Sequence, residues 1–301
     1  MKLFIIAVAA SLFTYRCIQS VHIPLSGKDL SKKEGAPIPE GIGLIPCGIT
    51  IVACIFAGVT NNILFPITAA LLLGFMDDVI DIPWRMKLLL PAIASLPLEF
   101  ETSNIDIGGV LIDIDGLYPV FATLLCVYCS DAINILAGIN GIEVGQSIII
   151  AVSFMIIEHK TWPLMMPFVS TSVVLLWFNW YPARVFVGDS YTLFSGMLFA
   201  VTGLAFHLNY TLFWMLLPQT FNFCVSLPQL LKIQDCPRHR LPAYNVQTNT
   251  LTPSKYKGRM NKTLLNYLLK FCGPMHERTL AILVIFIQMT TCLFAYCLRM
   301  Y

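Results

Sequence analysis

The chain has 301 residues, of which 57% are apolar and only 12% are charged, and its mean hydropathy is +0.74. Soluble domains carry about 25% charged residues, so this composition excludes an ordinary soluble protein. It predicts a single polytopic membrane domain over residues 1–301, all-α in class. The net charge of +2 is too small to indicate nucleic acid as a partner. Neither a disulfide framework nor a zinc site is expected, because most of the ten cysteines lie inside apolar runs.

The apolar segments predict about ten transmembrane helices, since each span needs about 20 apolar residues. The first, residues 1–21, also has signal-peptide features but is interpreted as a retained helix, because the helix count requires it. Two uncharged stretches are too long for one helix and are divided, at 60–62 and at 207–210. In chain order the segments are 1–21, 44–76 in two parts, 84–98, 117–136, 144–157, 164–178, 190–231 in two parts, and 279–298.

The basic residues are distributed unevenly between the two predicted membrane faces. Ten spans place both termini on one side and leave five loops on the other, at 21–43, 77–87, 134–143, 179–189 and 229–278. Counting Arg16 with the first loop, 16 of the 19 Lys and Arg residues fall on that side. The positive-inside rule therefore predicts that these five loops face the cytosol. On the opposite side, residues 99–116 are expected to form a small hairpin.

Carboxylates collect where the third helix ends, at Asp77, Asp78 and Asp81, and Lys87 follows. Charges are costly within a bilayer, so a solvated helix end stopped by Pro83 is one interpretation. The other is a carboxylate cluster near a phosphate-bound Mg²⁺, with Lys87 holding an anion.

The next loop combines polar residues with glycines. Asp131, Asn134 and Gly138 recur at helical spacing, and the glycines at 138, 141 and 145 suit either close approach to a ligand or helix packing. Asp189 heads a long uncharged stretch, where it is either an N-cap or a functional carboxylate.

The last polar motif is Arg238-His239-Arg240, which lies between two prolines. Two guanidinium groups are suited to a pyrophosphate, although contact with anionic lipid is an alternative.

Together, these segments and their order resemble the polyprenyl-phosphate N-acetylhexosamine-1-phosphate transferases of glycosyltransferase family 4, and most closely their dolichol branch. The most specific pieces are 134–146, 179–189 and 237–242. Bacterial members carry Asp-Gly where this chain has Ala137-Gly138, and Asp at the place of Asn140. Asp131 stands where the dolichol branch generally has Asn.

The resemblance implies a Mg²⁺-dependent phosphotransferase in the endoplasmic reticulum membrane, with its site facing the cytosol. Its implied substrates are UDP-GlcNAc and dolichyl phosphate, the first pair in N-glycan assembly, and tunicamycin is its implied inhibitor. Membrane lipid is a further partner, and a homodimer is compatible with the sequence. Asn134 and Asp189 are the implied metal ligands, and the catalytic group comprises Asp77, Asp78, Lys87 and Asp189.

The resemblance also assigns the two substrate sites. Residues implied to bind the nucleotide sugar are Lys28, Asp29, Leu30, Glu40, Asn140, Phe186, Arg238, His239 and Arg240. Those implied to receive the lipid phosphate are Lys87, Val127, Asp131, Asn134 and Ile135. Rival interpretations are a transferase for another UDP-amino sugar, a transporter and an inactive scaffold. Charges gathered at one predicted face argue against a transporter, which needs them at mid-membrane.

Overall fold

The computed structural model describes residues 1–21, 25–27, 37–80, 82–96, 98, 104–108, 110–237 and 240–300, without the side chains of residues 84, 85, 87 and 88. The described chain is built mainly of α-helices. Their bounds are α1 Lys2–Ser20, α2 Leu44–Ala57, α3 Asn61–Ile80, α4 Trp84–Ser95, α5 Tyr118–Ile135, α6 Ile142–Ile157, α7 Trp162–Asn179, α8 Gly188–Ala205, α9 Asn209–Met215, α10 Leu217–Leu230, α11 Leu264–Cys272 and α12 Glu277–Met300.

The described strands form four separate antiparallel pairs. Their bounds are β1 Ser26–Gly27, β2 Ile38–Pro39, β3 Asn104–Ile107, β4 Val110–Asp113, β5 Ala243–Asn245, β6 Thr250–Thr252, β7 Lys255–Tyr256 and β8 Arg259–Met260. The pairs are β1–β2, β3–β4, β5–β6 and β7–β8, so each joins two strands that are consecutive in the chain, and no larger sheet occurs among the described residues.

Helix α8 is the centre of the bundle. Every residue from 190 to 204 is buried, which is the pattern of a helix surrounded on all sides. Two glycines allow its neighbours to approach closely. A side chain at Gly74 of α3 would overlap the backbone of Asp189 and Ser190, and one at Gly196 of α8 would overlap the backbone of Cys129 in α5. Helices α3 and α5 are therefore held directly against α8, with their last turns beside its first turn.

Five described helices are long and apolar enough to span a membrane, namely α1, α3, α12, and α5 and α7, each with the short turn before it. Helices α2 and α6 are apolar but shorter. Many large apolar side chains on these helices point outward, including Phe4, Phe65 and Trp177. This arrangement confirms the predicted all-α membrane class, whereas the count of ten spans stays a prediction.

The predicted divisions of the two long apolar stretches are confirmed. Helix α2 ends before Gly58, whose φ of +86° lies in the left-handed region, and α3 begins at Asn61. Helix α8 ends at Ala205, and a new helix begins at Asn209. The predicted hairpin in 99–116 is also confirmed as β3 and β4.

Two features differ from the expected secondary structure. The span that follows residue 210 consists of two helices, α9 and α10, and Pro218 lies in the first turn of the second, where a missing N–H is tolerated. The region 229–278, expected as a loop, contains two hairpins and helix α11. The apolar face of α11 packs on β6, so this segment forms a folded cap on one end of the bundle.

Candidate active site

The N-terminus of α8 is held by a carboxylate from α3. Asp78 Oδ1 accepts the backbone N–H of Asp189 at 2.6 Å, and its Oδ2 accepts that of Ser190 at 3.1 Å. The first N–H groups of a helix lack partners within the helix, so Asp78 acts as a cap supplied from outside. The backbone beside it has no room for a side chain, because a Cβ on Gly188 would overlap this carboxylate. Asp78 thereby fixes the position of Asp189.

The side chain of Asp189 meets the last turn of α5. Asn134 donates from Nδ2 to Asp189 Oδ1 at 3.0 Å, and both side chains are partly exposed. Amide oxygen and nitrogen are assigned from the hydrogen-bond network, so a rotated Asn134 amide would present its oxygen beside the carboxylate. The two residues that the sequence predicted as metal ligands are therefore adjacent.

A partly exposed stripe on α5 leads to this contact. Val127, Asp131, Asn134 and Ile135 fall at spacings of four, three and one, which places them on one helix face. All four are partly exposed, whereas residues 129, 130, 132 and 133 between them are buried. Four of the five residues predicted to receive the lipid phosphate, all except Lys87, thus form one accessible surface that ends at Asp189.

The other residues predicted at the end of α3 are placed only in part. Asp77 is buried, and its Oδ1 accepts the backbone N–H of Ile82 at 2.6 Å. This bond closes the turn after α3. Asp81 lies outside the described residues, as does the side chain of Lys87. The predicted role of Lys87 toward an anion stays a prediction.

The glycine-rich turn between α5 and α6, residues 137–141, is held by three side chains from three elements. Glu143 Oε1 accepts the N–H of Gly138 at 3.1 Å, and Glu277 Oε1 accepts that of Asn140 at 2.8 Å. Asn179 Oδ1 accepts the N–H of Gly141 at 3.0 Å. Gly138 and Gly141 have φ values of +105° and +85°, which a residue with a Cβ rarely adopts. The turn is thus fixed in one shape.

Another part of the site joins β2 and the residues that follow it to the segment before α8. Phe186 N donates to Pro39 O at 2.8 Å, and Gly43 N donates to Val187 O at 2.9 Å. A Cβ placed on Gly27 would lie 2.8 Å from Glu40 Oε2 and 3.1 Å from Cδ2 of Phe186. Glu40 and Phe186, both predicted to bind the nucleotide, therefore lie close together. Lys28, Asp29 and Leu30 continue from this point but lie outside the described residues.

Arg240 approaches the glycine-rich turn from the cap. Its carbonyl accepts a hydrogen bond from Nδ2 of the buried Asn266 at 3.2 Å. The next residue, Leu241, occupies the space that a Cβ on Gly138 would need. Burial lowers the pKa of Arg240 from its ordinary value, although a guanidinium stays charged at neutral pH. Its Nη1 is buried with no hydrogen-bond partner among the described residues. Arg238 and His239 lie outside the described residues.

The donor set suits an oxygen-binding cation that shares its ligands with a phosphate. No group of three or more His, Cys, Asp or Glu side chains within the described ranges forms a metal cage. Mg²⁺ commonly binds through one or two protein oxygens and takes the rest from phosphates and water. Asp189 with Asn134 provides such a pair, so these residues fit the predicted metal.

Several side chains that shape the site were not predicted as site residues. Glu143, Asn179, Glu277 and Asn266 all bind backbone groups of the turns that carry predicted ligands. Glu143 has a local signal, since it follows the glycine-rich turn directly. Glu277 has none, because it lies 137 residues along the chain from the N–H that it accepts.

Comparison with known proteins gives the family of this arrangement. The model of glycosyl transferase family 4 matches residues 60–207, which include α3, α5 and the start of α8. A UDP-N-acetylglucosamine–dolichyl-phosphate N-acetylglucosaminephosphotransferase of Dictyostelium discoideum is 37% identical, over 93% of this chain and 84% of its own length. Proteins of the same name from Leishmania amazonensis and Saccharomyces cerevisiae are 33% and 32% identical, over 78% and 85% of this chain and 69% and 73% of theirs.

Proposed function

The chain belongs to glycosyl transferase family 4, and we propose that it transfers N-acetylglucosamine 1-phosphate from UDP-GlcNAc to dolichyl phosphate, with release of UMP. The observation that carries this proposal is the contact between Asn134 and Asp189 at the first turn of α8. Asn134 lies at the end of the accessible stripe of α5, and Asp189 follows three residues after Phe186, which lies close to Glu40. The names of the relatives supply the two substrates.

The reaction joins two anions. An oxygen of the lipid phosphate forms a bond to the β-phosphorus of UDP-GlcNAc. The bond from that phosphorus to the bridging oxygen breaks, and its electron pair leaves with UMP. A phosphate monoester is largely ionised at neutral pH, so the attacking oxygen needs no strong base. Catalysis therefore depends on holding the reactants in line and offsetting their charge.

The described residues divide this work. Arg240, with a buried guanidinium nitrogen that has no partner in the described part of the chain, is assigned to the pyrophosphate. Phe186 and Glu40 are assigned to the nucleoside, together with the glycine-rich turn that carries Asn140. Asp131 and Val127 line the approach of the lipid phosphate. Asp78 acts by positioning Asp189.

Asp189 and Asn134 are assigned to Mg²⁺. When bound, the metal supplies positive charge that stabilises the phosphate oxygens during transfer. Asp189 provides a charged oxygen and Asn134 a neutral one. The hydrogen bond from the Asp189 N–H to Asp78 fixes the backbone of Asp189. The pair lies at the end of the α5 stripe assigned to the lipid phosphate, and its Asp189 follows Phe186, assigned to the nucleoside, which supports a cation that would bind between the two substrates.

We assign the site to the cytosolic face of the endoplasmic reticulum membrane. The distribution of Lys and Arg supports this orientation, because 16 of the 19, with Arg16 counted in the first loop, belong to the loops predicted on one side. An accessibility tag after Lys257 should be reached from the cytosol and one after Tyr301 from the lumen. Finding both tags on one side would remove the predicted ten-span topology.

Purified protein should release UMP from UDP-GlcNAc only when dolichyl phosphate is present. The product should carry both phosphates and GlcNAc, and tunicamycin should inhibit its formation. Equal UMP release with and without the lipid would indicate a hydrolase and contradict the proposal. Transfer from UDP-GalNAc at a rate equal to or above that from UDP-GlcNAc would contradict the donor assignment alone.

A further inference from the structure

A short segment before the last helix connects the cap to the site. We call Met275, His276 and Glu277 the α12 junction. It lies outside residues 60–207, the part that matches the family model. Its three residues contact three separate parts of the chain, namely β6, the 179–189 loop and the glycine-rich turn.

Met275 and His276 anchor the junction on two sides. Met275 exchanges two backbone hydrogen bonds with Leu251 of β6, at 2.8 Å and 3.2 Å, and Leu251 is fully buried. The His276 ring meets that of Tyr181 edge-on, with centroids 4.6 Å apart. The Nδ1 atom of His276 also accepts the N–H of Arg278 at 3.2 Å, which caps α12. The start of α12 therefore has a fixed position relative to both the cap and the 179–189 loop.

Glu277 extends from this anchored point into the site. It is 3% exposed, and its Oε1 accepts the N–H of Asn140 at 2.8 Å. An acidic residue in the first turn of a helix is favourable for the helix dipole, but that effect operates equally well with an exposed side chain. Burying a carboxylate is costly unless its oxygens find donors. The burial and the direction of Glu277 therefore indicate a role toward the glycine-rich turn.

The turn depends on such support because its backbone has little choice of partner. Gly138 and Gly141 flank Asn140 with positive φ values, and each of their N–H groups is bound by a side chain. Leu241, next to Arg240, packs where Gly138 has no Cβ. A shift of the turn would consequently move both Asn140 and Arg240.

We infer that Glu277 is a positioning residue for the nucleotide sugar, which acts by fixing the backbone of Asn140 in the glycine-rich turn. This inference rests on the proposed function, since it takes UDP-GlcNAc as the ligand of Asn140. It predicts that Glu277 controls affinity for the donor and has little effect on the lipid acceptor, whose predicted surface runs along α5. The cap thus contributes to donor recognition through the α12 junction. Glu277 acts on the turn and does not contact the donor itself.

The test compares three variants in the full-length purified chain, by equilibrium binding of UDP-GlcNAc and by UMP release with each substrate varied. Glu277→Ala removes the acceptor and should raise the Kd and KM for UDP-GlcNAc about tenfold, with the KM for dolichyl phosphate changed less than about twofold. Glu277→Gln keeps an oxygen that accepts the Asn140 N–H, and should restore most of the affinity. Arg278→Ala, the exposed next residue, is the matched control and should behave as the wild type.

Normal UDP-GlcNAc affinity in Glu277→Ala would overturn the inference. So would equal rises in both KM values with a lower melting temperature, which indicate a general structural role. If Glu277→Ala fails to fold, Glu277→Asp is used in its place. Its shorter side chain should support the Asn140 N–H poorly, so this variant should bind UDP-GlcNAc less well than Glu277→Gln does. Equal binding by these two would also refute it. A wild type that binds UDP-GlcNAc but never releases UMP refutes the proposed function and leaves the binding test intact.

Discussion

The two ends of the helix bundle use buried carboxylates in different ways. At the far end, Asp106 of β3 is 5% exposed and pairs with Arg299 of α12 at 3.1 Å. Asn209 exchanges two hydrogen bonds with the backbone of the same aspartate, at 2.9 Å and 3.3 Å. At the site end, Asp78 and Glu277 accept backbone N–H groups of other elements.

The difference indicates which end is built to bind a ligand. At the far end the carboxylate and the guanidinium neutralise each other, and the result is a closed link between a hairpin and two helices. At the site end Asp78 and Glu277 hold backbone segments of the site in place, while Arg240 keeps a buried nitrogen without a hydrogen-bond partner among the described residues. A buried N–H group without an acceptor is costly, and a phosphate oxygen of a bound pyrophosphate would supply that acceptor.

The largest expected effect comes from removing the carboxylate at the head of α8. Asp189→Ala should lower UMP release roughly 1,000-fold, because a lost metal ligand removes several kcal/mol of charge stabilisation. The melting temperature should change little, because Asp78 accepts hydrogen bonds from the backbone N–H groups of residues 189 and 190, which the alanine variant retains.

Asp106→Ala, at the far end, provides the contrast for Asp189→Ala. It should lower the melting temperature yet leave the KM values of the folded protein unchanged. If Asp106→Ala also abolished turnover in folded protein, the two ends would not be functionally separate.

The second effect in size concerns the buried guanidinium. Arg240→Lys keeps the positive charge and loses the planar fork that binds two phosphate oxygens. Donor affinity should fall roughly ten- to a hundredfold, the usual cost of a lost hydrogen bond to a charged group. The KM for dolichyl phosphate should stay near its wild-type value. Isothermal titration with UDP-GlcNAc measures the effect, and an unchanged affinity would remove Arg240 from the donor site.

The third effect is one of stability at the far end. Arg299→Met keeps much of the apolar side chain and removes the cation, which leaves Asp106 with Asn209. Since Arg299 is about one-third exposed, solvent screens the pair, and the loss should be about 1–2 kcal/mol in the free energy of unfolding. Thermal unfolding in detergent measures the loss. A change in either KM greater than that in Arg278→Ala would contradict the proposed independence of the two ends.

The sequence predicted the elements well where a local pattern determines them. The breaks at Gly58 and before Asn209 follow from polar or glycine residues that interrupt long apolar runs. The contact between Asn134 and Asp189 was anticipated only through family resemblance, because no spacing rule relates residues 55 positions apart. The hairpin β3–β4 was predictable because acidic and glycine residues interrupt the apolar sequence in 99–116.

What the sequence could not provide is the network of backbone supports. Asp78 was predicted to lie near a metal, and its two hydrogen bonds to the α8 N-terminus depend on how closely Gly74 lets α3 approach. Glu277 fell in the predicted loop 229–278, just before the helix predicted over 279–298, and no pattern marked it. The cap was missed as a folded unit because short hairpins and one amphipathic helix of nine residues do not stand out beside apolar spans. Tertiary packing, not local pattern, decides all three.

The smallest expected effect lies on the surface of the cap, where Asp235 and Lys257 form an ion pair at 2.7 Å with both side chains about two-thirds exposed. The hydrogen bond and charge of Lys257 lower the pKa of Asp235, and those of Asp235 raise the pKa of Lys257. The aspartate's contribution to stability is therefore present above its unfolded pKa and is lost as pH falls through the folded value. The contribution of the lysine is present below its unfolded pKa and is lost as pH rises through the folded value.

Both contributions of the Asp235–Lys257 pair are complete at neutral pH, and solvent and salt screen them there. Asp235→Ala should consequently leave UMP release and the melting temperature at pH 7 close to those of the wild type. Its melting temperature should also respond less to added salt than the wild-type value does. Asp235 lies five residues before Arg240 in the chain, so the variant also tests the boundary of the site. A loss of donor affinity as large as that of Arg240→Lys would show that the Asp235–Lys257 pair positions Arg240. The site would then extend to the surface of the cap.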